Sequence, residues 1–178
     1  VVPSSPYEAK GLLIQAVRDN DPVIFCEHNS LHHIQEDVPE SSYAIPFGES
    51  NILREGGDAT IVAFGFMVKK SMEAASKLAK EGIQCEVIDP RTTSPLDLET
   101  IIESVENTGR LVVVDESNPR CSIAADISAQ ITEQAFNSLK GPVKMVTAPH
   151  CPPPFSDVLE DLYIPSSEKI AEAVKSLN

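Results

Sequence analysis

"ATIVAFGFMVKKSMEAASKLAKEGIQCEVIDP", residues 59–90, decides the fold. Residues 59–65 form an apolar run of strand type, and Met67, Met72, Ala75, Leu78 and Ala79 then recur at helical spacing. Gly82 stands where a helix terminus wants a residue able to turn left-handed. Residues 85–90, "CEVIDP", open a second strand. Strand, helix, strand with apolar residues throughout the strands is the pattern of a parallel pair buried on both faces.

The same alternation continues on both sides of this unit. Upstream, "SNILREG" (50–56) reads as a short strand. Downstream, Leu98, Ile101, Ile102 and Val105 make a helical stripe closed by Gly109, and "RLVVVDE" (110–116) is the next strand. A helix from about Ser122 to Leu139, the strand "PVKMVTA" (142–148), a Pro-rich segment and a last helix over 166–177, capped by Ser166 or Ser167, complete the series. With right-handed crossovers this order predicts a three-layer α/β/α sandwich around a mostly parallel sheet of about five strands.

The first 48 residues differ. Leu12, Leu13, Ala16 and Val17 give an apolar helical face between Tyr7 and Val17, started by Ser4-Ser5-Pro6 and ended by Asp19-Asn20-Asp21-Pro22. "PVIFCEH" (22–28) reads as a strand, and 29–48 as a loop or extended connection. One helix and one strand bury no core alone, so this section is expected to be the tail of a domain whose body lies elsewhere. The opening Val1-Val2, without Met, agrees with that expectation.

Composition narrows the function classes. A chain of 178 residues with 42% hydrophobic and 23% charged residues is that of a soluble globular protein. A net charge of -13 is unsuited to a nucleic-acid surface, which needs clustered Lys and Arg, and suits a basic partner. No apolar run is long enough to span a bilayer and the start lacks signal-peptide character, so a cytoplasmic location is expected. Cys26, Cys85, Cys121 and Cys151 are widely spaced and read as reduced thiols packed as small apolar residues. His32-His33 could be half of a metal site, but no matching ligand cluster follows.

Chemistry-bearing motifs are sparse. Neither a dinucleotide-type nor a triphosphate-type glycine loop occurs. Gly65, between strand and helix, could admit a phosphate at the helix start or serve as a packing turn. Cys121, beside Arg120 near a helix start, has the setting of an activated thiol but no assignable His. Asp115 and Glu116 could form an acid and base pair, or hold a turn or face a partner. Gly65, Asp89 and Asp115 together would frame an independent small-molecule site at the strand ends.

Taken in order, "VVPSSPYEAKGLLIQAVRDNDPVIFCEH", "DATIVAFGFMVKKSMEAASKLAKEGIQCEVIDPRTTSPLD", "TGRLVVVDESNPRCSIAADISAQI" and "YIPSSEKIAEAV" resemble the beta subunit of the thiamine-diphosphate-dependent component of 2-oxo acid dehydrogenase complexes, across essentially the whole chain. "DESNPRCSIAADI" with "KMVTAPHCPPPFSDVLEDLYIP" is most similar to the acetoin branch of that family, with the pyruvate branch as the alternative. The resemblance implies that residues 1–48 are the tail of a pyrimidine-binding domain plus linker, and 49–178 a transketolase-type C-terminal domain. It implies a heterotetramer with an alpha subunit and a second beta subunit, with thiamine diphosphate and magnesium at the alpha/beta interface. The reaction implied is C–C cleavage with transfer of the acetyl unit to a lipoyl group. The family's cofactor-engaging glutamate and active-site histidine fall upstream of Val1, so no catalytic or cofactor-binding residue is carried over, and this segment alone is expected to be inactive. The resemblance further implies a structural potassium ion at Ala16, Asp19 and Asp21. It also implies docking of the subunit-binding domain of the dihydrolipoyl acyltransferase, for which Glu160, Asp161 and the terminal carboxylate of Asn178 are the candidate contacts. On that reading Asp115-Glu116-Ser117 is a strand end feeding a subunit interface.

Overall fold

The computed structural model describes residues 1–177; Asn178, one of the candidate docking residues, lies outside them. A five-stranded sheet in the order β1-β3-β2-β4-β5 is built from β1 (Asn51–Arg54), β2 (Ala59–Ala63), β3 (Cys85–Asp89), β4 (Leu111–Asp115) and β5 (Lys144–Thr147). β2 runs parallel to both β3 and β4, and β4 parallel to β5; only the edge strand β1 is antiparallel, with a register shift between Ile52 and Arg54. This is the expected mostly parallel sheet. Every residue of the central strand β2 is buried, as an apolar strand covered on both faces must be.

Helices supply the outer layers. On one face α2 (Phe66–Lys80) and α6 (Ser167–Lys175) bury Met67, Leu78, Ile170 and Val174 against β2, β3 and β4. On the other, α3 (Leu98–Thr108) and α4 (Ile123–Gln134) bury Ile101, Val105, Ile127 and Ile131 against Val62, Ile88 and Val113. Each such fully buried side chain contributes about 1.5–3 kcal/mol of transfer free energy. Caps set the helix ends: Ser122 Oγ accepts from Ala125 N, Ser166 Oγ from Lys169 N, and Gly109 closes α3 at φ 75°.

Close backbone approach fixes one connection. A Cβ on Gly56, between β1 and β2, would lie 2.3 Å from the carbonyl carbon of Cys85, so only glycine lets this turn lie on the start of β3.

The amino-terminal section is one helix, α1 (Pro6–Arg18), and an extended segment. Leu12 is fully buried, and Gly11 sits close beneath Ile45 and Tyr43. Residues 22–28, read from sequence as a strand, are extended but outside the sheet. Apart from the local turn Leu31 N to His28 O, their described backbone bonds are to the chain start, Cys26 N to Val1 O at 2.8 Å and Val1 N to Ile24 O at 2.7 Å, and Ile24 is exposed. Among the described residues no neighbouring strand completes a ladder there.

Two other sequence expectations shift. The helix expected to reach Leu139 ends at Gln134, because the buried stripe Ala124, Ile127, Ile131 and Ala135 runs out, and a short 3-10 turn over Phe136–Ser138 follows. The Pro-rich segment contains a further helix, α5 (Asp157–Tyr163), started after Ser156 once the prolines are past.

Candidate functional site

The strand order reverses beside β2: the chain leaves β2 for β3 on one side and later enters β4 on the other. Ligand crevices of doubly wound sheets lie outside the carboxyl ends of the strands at such a point. Here that place is a cleft of about 210 Å³ lined by Phe64 and Gly65 after β2, Thr93 after β3, Asp115 and Glu116 at the end of β4, Phe66 and Ile123 from α2 and α4, and Val2, Cys26, Glu27 and His28 from the amino-terminal section.

Each polar group in the cleft has a specific setting. Asp115 is occupied by its own turn: Oδ1 accepts from Ser117 N at 2.9 Å, and Oδ2 from Ser117 Oγ at 2.7 Å. Glu116 Oε1 meets His28 Nε2 at 3.1 Å, while Oε2 is buried without a hydrogen-bond partner among the described residues. Burial raises the Glu116 carboxyl above its usual range; the His28 ring pulls it down, and the Asp115 charge pushes it up again. His28 Nδ1 accepts from Ser30 N at 3.1 Å, so the neutral tautomer has its proton on Nε2 and donates it to Glu116. The imidazole stacks on the Phe66 ring with centroids 4.9 Å apart. Sequence reasoning missed this histidine, because its partner lies far along the chain and only the fold brings the two together.

Gly65 serves the turn. It is the residue before α2, with φ 51°, and a Cβ there would lie 3.0 Å from Val2 Cγ1. The first helical amides are already partly engaged, Met67 N to Phe64 O and Val68 N to Gly65 O, which leaves little of a phosphate cradle. Asp89 is not in the cleft. It is fully buried under Arg91, so the grouping of Gly65, Asp89 and Asp115 is not one site.

Of the thiols, only Cys85 is packed as a core residue, its pKa pushed up to about 11 by burial. Cys26, Cys121 and Cys151 are exposed, because their segments lie over the surface rather than inside the layers. Cys121 has a left-handed backbone, φ 52°, in the loop before α4. His32 Nε2 lies 3.7 Å from Glu27 Oε2. Among the described residues no group of three or more His, Cys, Asp or Glu is placed to hold a metal.

Ala16 is in the last turn of α1, and Asp19 and Asp21 follow it directly. Asp19 N caps the helix by bonding Gln15 O, and Asp19 Oδ1 accepts from Asp21 N at 3.0 Å. Ala16 O, in the last turn, accepts no further backbone bond among the described residues and lies at the negative end of the helix dipole, where carbonyl oxygens are of the type that hard cations take. Glu160 and Asp161 stand exposed on α5. The residues of the cleft do not fit thiamine diphosphate and magnesium. Their charge is acidic where a diphosphate would sit, and the volume is below the roughly 300–1,000 Å³ of ligand pockets.

A sheet of this order, parallel apart from its antiparallel edge strand and covered by helices on both faces, is a doubly wound α/β domain. Residues 48–170 match the family described as transketolase, C-terminal domain, and the chain belongs to that family. Its relatives include proteins named as beta subunits of an acetoin oxidoreductase and of pyruvate dehydrogenase. Over 98% of its length it is 63% identical to acetoin:2,6-dichlorophenolindophenol oxidoreductase subunit beta of Cupriavidus necator, covering 52% of that protein. Over 99% of its length it is 50% identical to the protein of the same name from Bacillus subtilis, covering 52% of it. It is 47% identical over 99% of its length to pyruvate dehydrogenase E1 component subunit beta of Bacillus subtilis, covering 54% of that chain. The chain thus spans about half the length of the curated relatives it matches. A solved structure, split gene transketolase described as an inactive beta4 tetramer, superposes with a TM-score of 0.66 at 29% identity, over 75% of this chain and 42% of that one. No helix among the described residues is long and apolar enough to cross a membrane.

Proposed function

We propose that this chain is the carboxyl-terminal part of a cytoplasmic beta subunit of a thiamine-diphosphate-dependent acetoin or pyruvate dehydrogenase, and that within it this part serves subunit assembly and docking of the acyltransferase. The 63% identity to an acetoin oxidoreductase beta subunit, held over 98% of the chain, carries the reading. Residues 1–48 would end the pyrimidine-binding domain and 49–178 form the transketolase-type domain. Thiamine diphosphate with magnesium, bound elsewhere in a heterotetramer with the alpha subunit, would supply the electron sink for C–C cleavage. No residue described above is assigned to hold it. A potassium ion on Ala16, Asp19 and Asp21 would brace α1, and replacing potassium by a large organic cation should then lower the melting temperature of the full-length subunit.

The test is reconstitution. The full-length subunit, assembled with its alpha partner and given thiamine diphosphate, magnesium, acyltransferase and either acetoin or pyruvate, should acetylate lipoyl groups, while the beta subunit alone should not. Turnover of neither substrate in the assembled complex would reject the reading.

A further inference from the structure

The cleft between β2 and β4 has a composition that the assembly role leaves unused. Its walls are apolar side chains, Phe64, Phe66, Ile123 and Val2, and its polar lining is the carboxylates of Glu27, Asp115 and Glu116 with the His28 imidazole, Thr93 and Cys26. Three of the four carboxylate oxygens of Asp115 and Glu116 are engaged by Ser117, Ala124 and His28. The fourth, Glu116 Oε2, is buried and has no donor among the described residues. A buried acceptor left unpaired is costly, so the position favours a ligand that donates to it. His28 is engaged elsewhere: its Nε2 faces Glu116 Oε1 and its Nδ1 accepts from Ser30 N. At about 210 Å³ the cleft has room for a single small group. Lys70 lies over the Phe66 ring, 5.3 Å from its centroid, and is not among the lining side chains, so no Lys or Arg among the described residues lines the cleft beside Asp115 and Glu116.

We infer that this cleft binds one small guanidinium or ammonium group, with Glu116 as the accepting carboxylate, Asp115 reinforcing the charge, and Phe64 and Ile123 covering the apolar part of the ligand. A planar guanidinium fits best, since it donates in a fixed fork while its faces remain weakly hydrated and tolerate apolar walls. The group could arrive as a free small cation or as the side chain of a basic partner. The inference does not rest on the dehydrogenase assignment, and its failure would leave that assignment standing.

The experiment uses the full-length subunit, alone and assembled with its alpha partner, carrying 13C-labelled isoleucine δ methyls so that Ile123 reports the cleft. Methylguanidinium chloride, titrated at constant ionic strength, should shift the Ile123 methyl saturably, whereas neutral methylurea of the same shape should not. Glu116→Gln should weaken the methylguanidinium response by at least about tenfold. Equal responses to the two probes, no saturable shift, or an unchanged Glu116→Gln titration would each overturn the inference. The probe comparison on the unsubstituted protein requires no variant to fold. Adding the basic acyltransferase domain separates the sources: displacement of methylguanidinium identifies a partner side chain, and retention identifies a free cation.

Discussion

Arg91 Nε lies 2.8 Å from Glu8 Oε1, joining the first turn of α1 to the loop after β3 across a nearly solvent-free contact. Glu8 Oε2 also accepts from Ser4 N and Ser4 Oγ, so the carboxylate closes the start of α1 as well as the contact with the sheet. Arg91 is held in a left-handed conformation, φ 62°, with its carbonyl accepting from Val2 N. Burial alone would raise the Glu8 carboxyl, but the bond and charge of Arg91, with Ser4, bring it below its ordinary value. Removing one member of such a pair strands the other charge. Arg91→Met is therefore expected to cost about 3 kcal/mol in urea unfolding of the full-length subunit. The double variant Arg91→Met with Glu8→Gln should recover part of that loss, because no unpaired charge remains. A single variant no worse than the double would show that the pair does not hold α1.

Asp89 gives the opposite pH signature. It is fully buried, and burial followed by the neighbouring Glu8 charge raises its carboxyl well above the usual range. Its Oδ1 accepts from Arg91 N at 2.8 Å, while Oδ2 has no hydrogen-bond partner among the described residues. The folded state thus keeps a proton that the unfolded chain releases near pH ~3.9. Stability from this group falls as pH rises from that value toward the folded pKa. Asn mimics the protonated acid, so Asp89→Asn should match the unsubstituted protein below about pH 4 and be more stable above it, by on the order of 1 kcal/mol near neutrality. Glu8, lowered, contributes above its unfolded pKa of about 4.3 and loses that contribution as the pH falls through its folded value. Urea midpoints across pH separate the two groups. A difference between Asp89→Asn and the parent that does not vary with pH would mean Asp89 is not protonated in the folded state.

The layers of this fold were legible because they are written locally. The fully apolar β2 and β4, the helical stripe Ile101, Val105 and the terminators Gly82 and Gly109 each declare an element within a few residues. Pairing across sequence was not legible. Residues 22–28 have strand composition, yet a strand needs a neighbouring strand, and among the described residues their long-range backbone bonds go to the chain start. The meeting of His28 with Glu116 depends on α1, the extended segment and β4 all being in place, so no spacing rule could announce it. Asp89 looked like an accessible strand-end acid because its burial under Arg91 comes from a helix distant in sequence.

Gly56 and Gly57 provide an internal control on packing. A Cβ at Gly56 would press into the backbone of Gln84 and Cys85, at 2.3–2.6 Å, whereas nothing lies within 4 Å of one at Gly57. Backbone atoms in a buried strand have no room to yield. Gly56→Ala should therefore cost about 2 kcal/mol or more through strain at the β3 start. Gly57→Ala should stay within about 0.5 kcal/mol of the parent. Similar effects of the two substitutions in thermal unfolding would mean that the β1–β2 turn does not lie on β3 as described.

Docking is the prediction on which the assembly role depends. Glu160 and Asp161 are exposed on α5, next to the exposed Val158, Leu159 and Leu162, and the chain carries a net charge of -13. An acidic surface of this kind acts on a basic partner mainly by steering the encounter, an effect that salt screens. Reversing both charges, Glu160→Lys with Asp161→Lys, should weaken binding of the acyltransferase's basic domain by about tenfold or more, chiefly in the association rate, and flatten its salt dependence. Stability should barely change, because neither side chain supports the core. The measurement is surface-binding kinetics of the assembled full-length complex at two ionic strengths. An unchanged association rate with intact folding would remove these two acids from the docking surface, whereas a loss confined to the dissociation rate would mean that they make direct contact without guiding the approach.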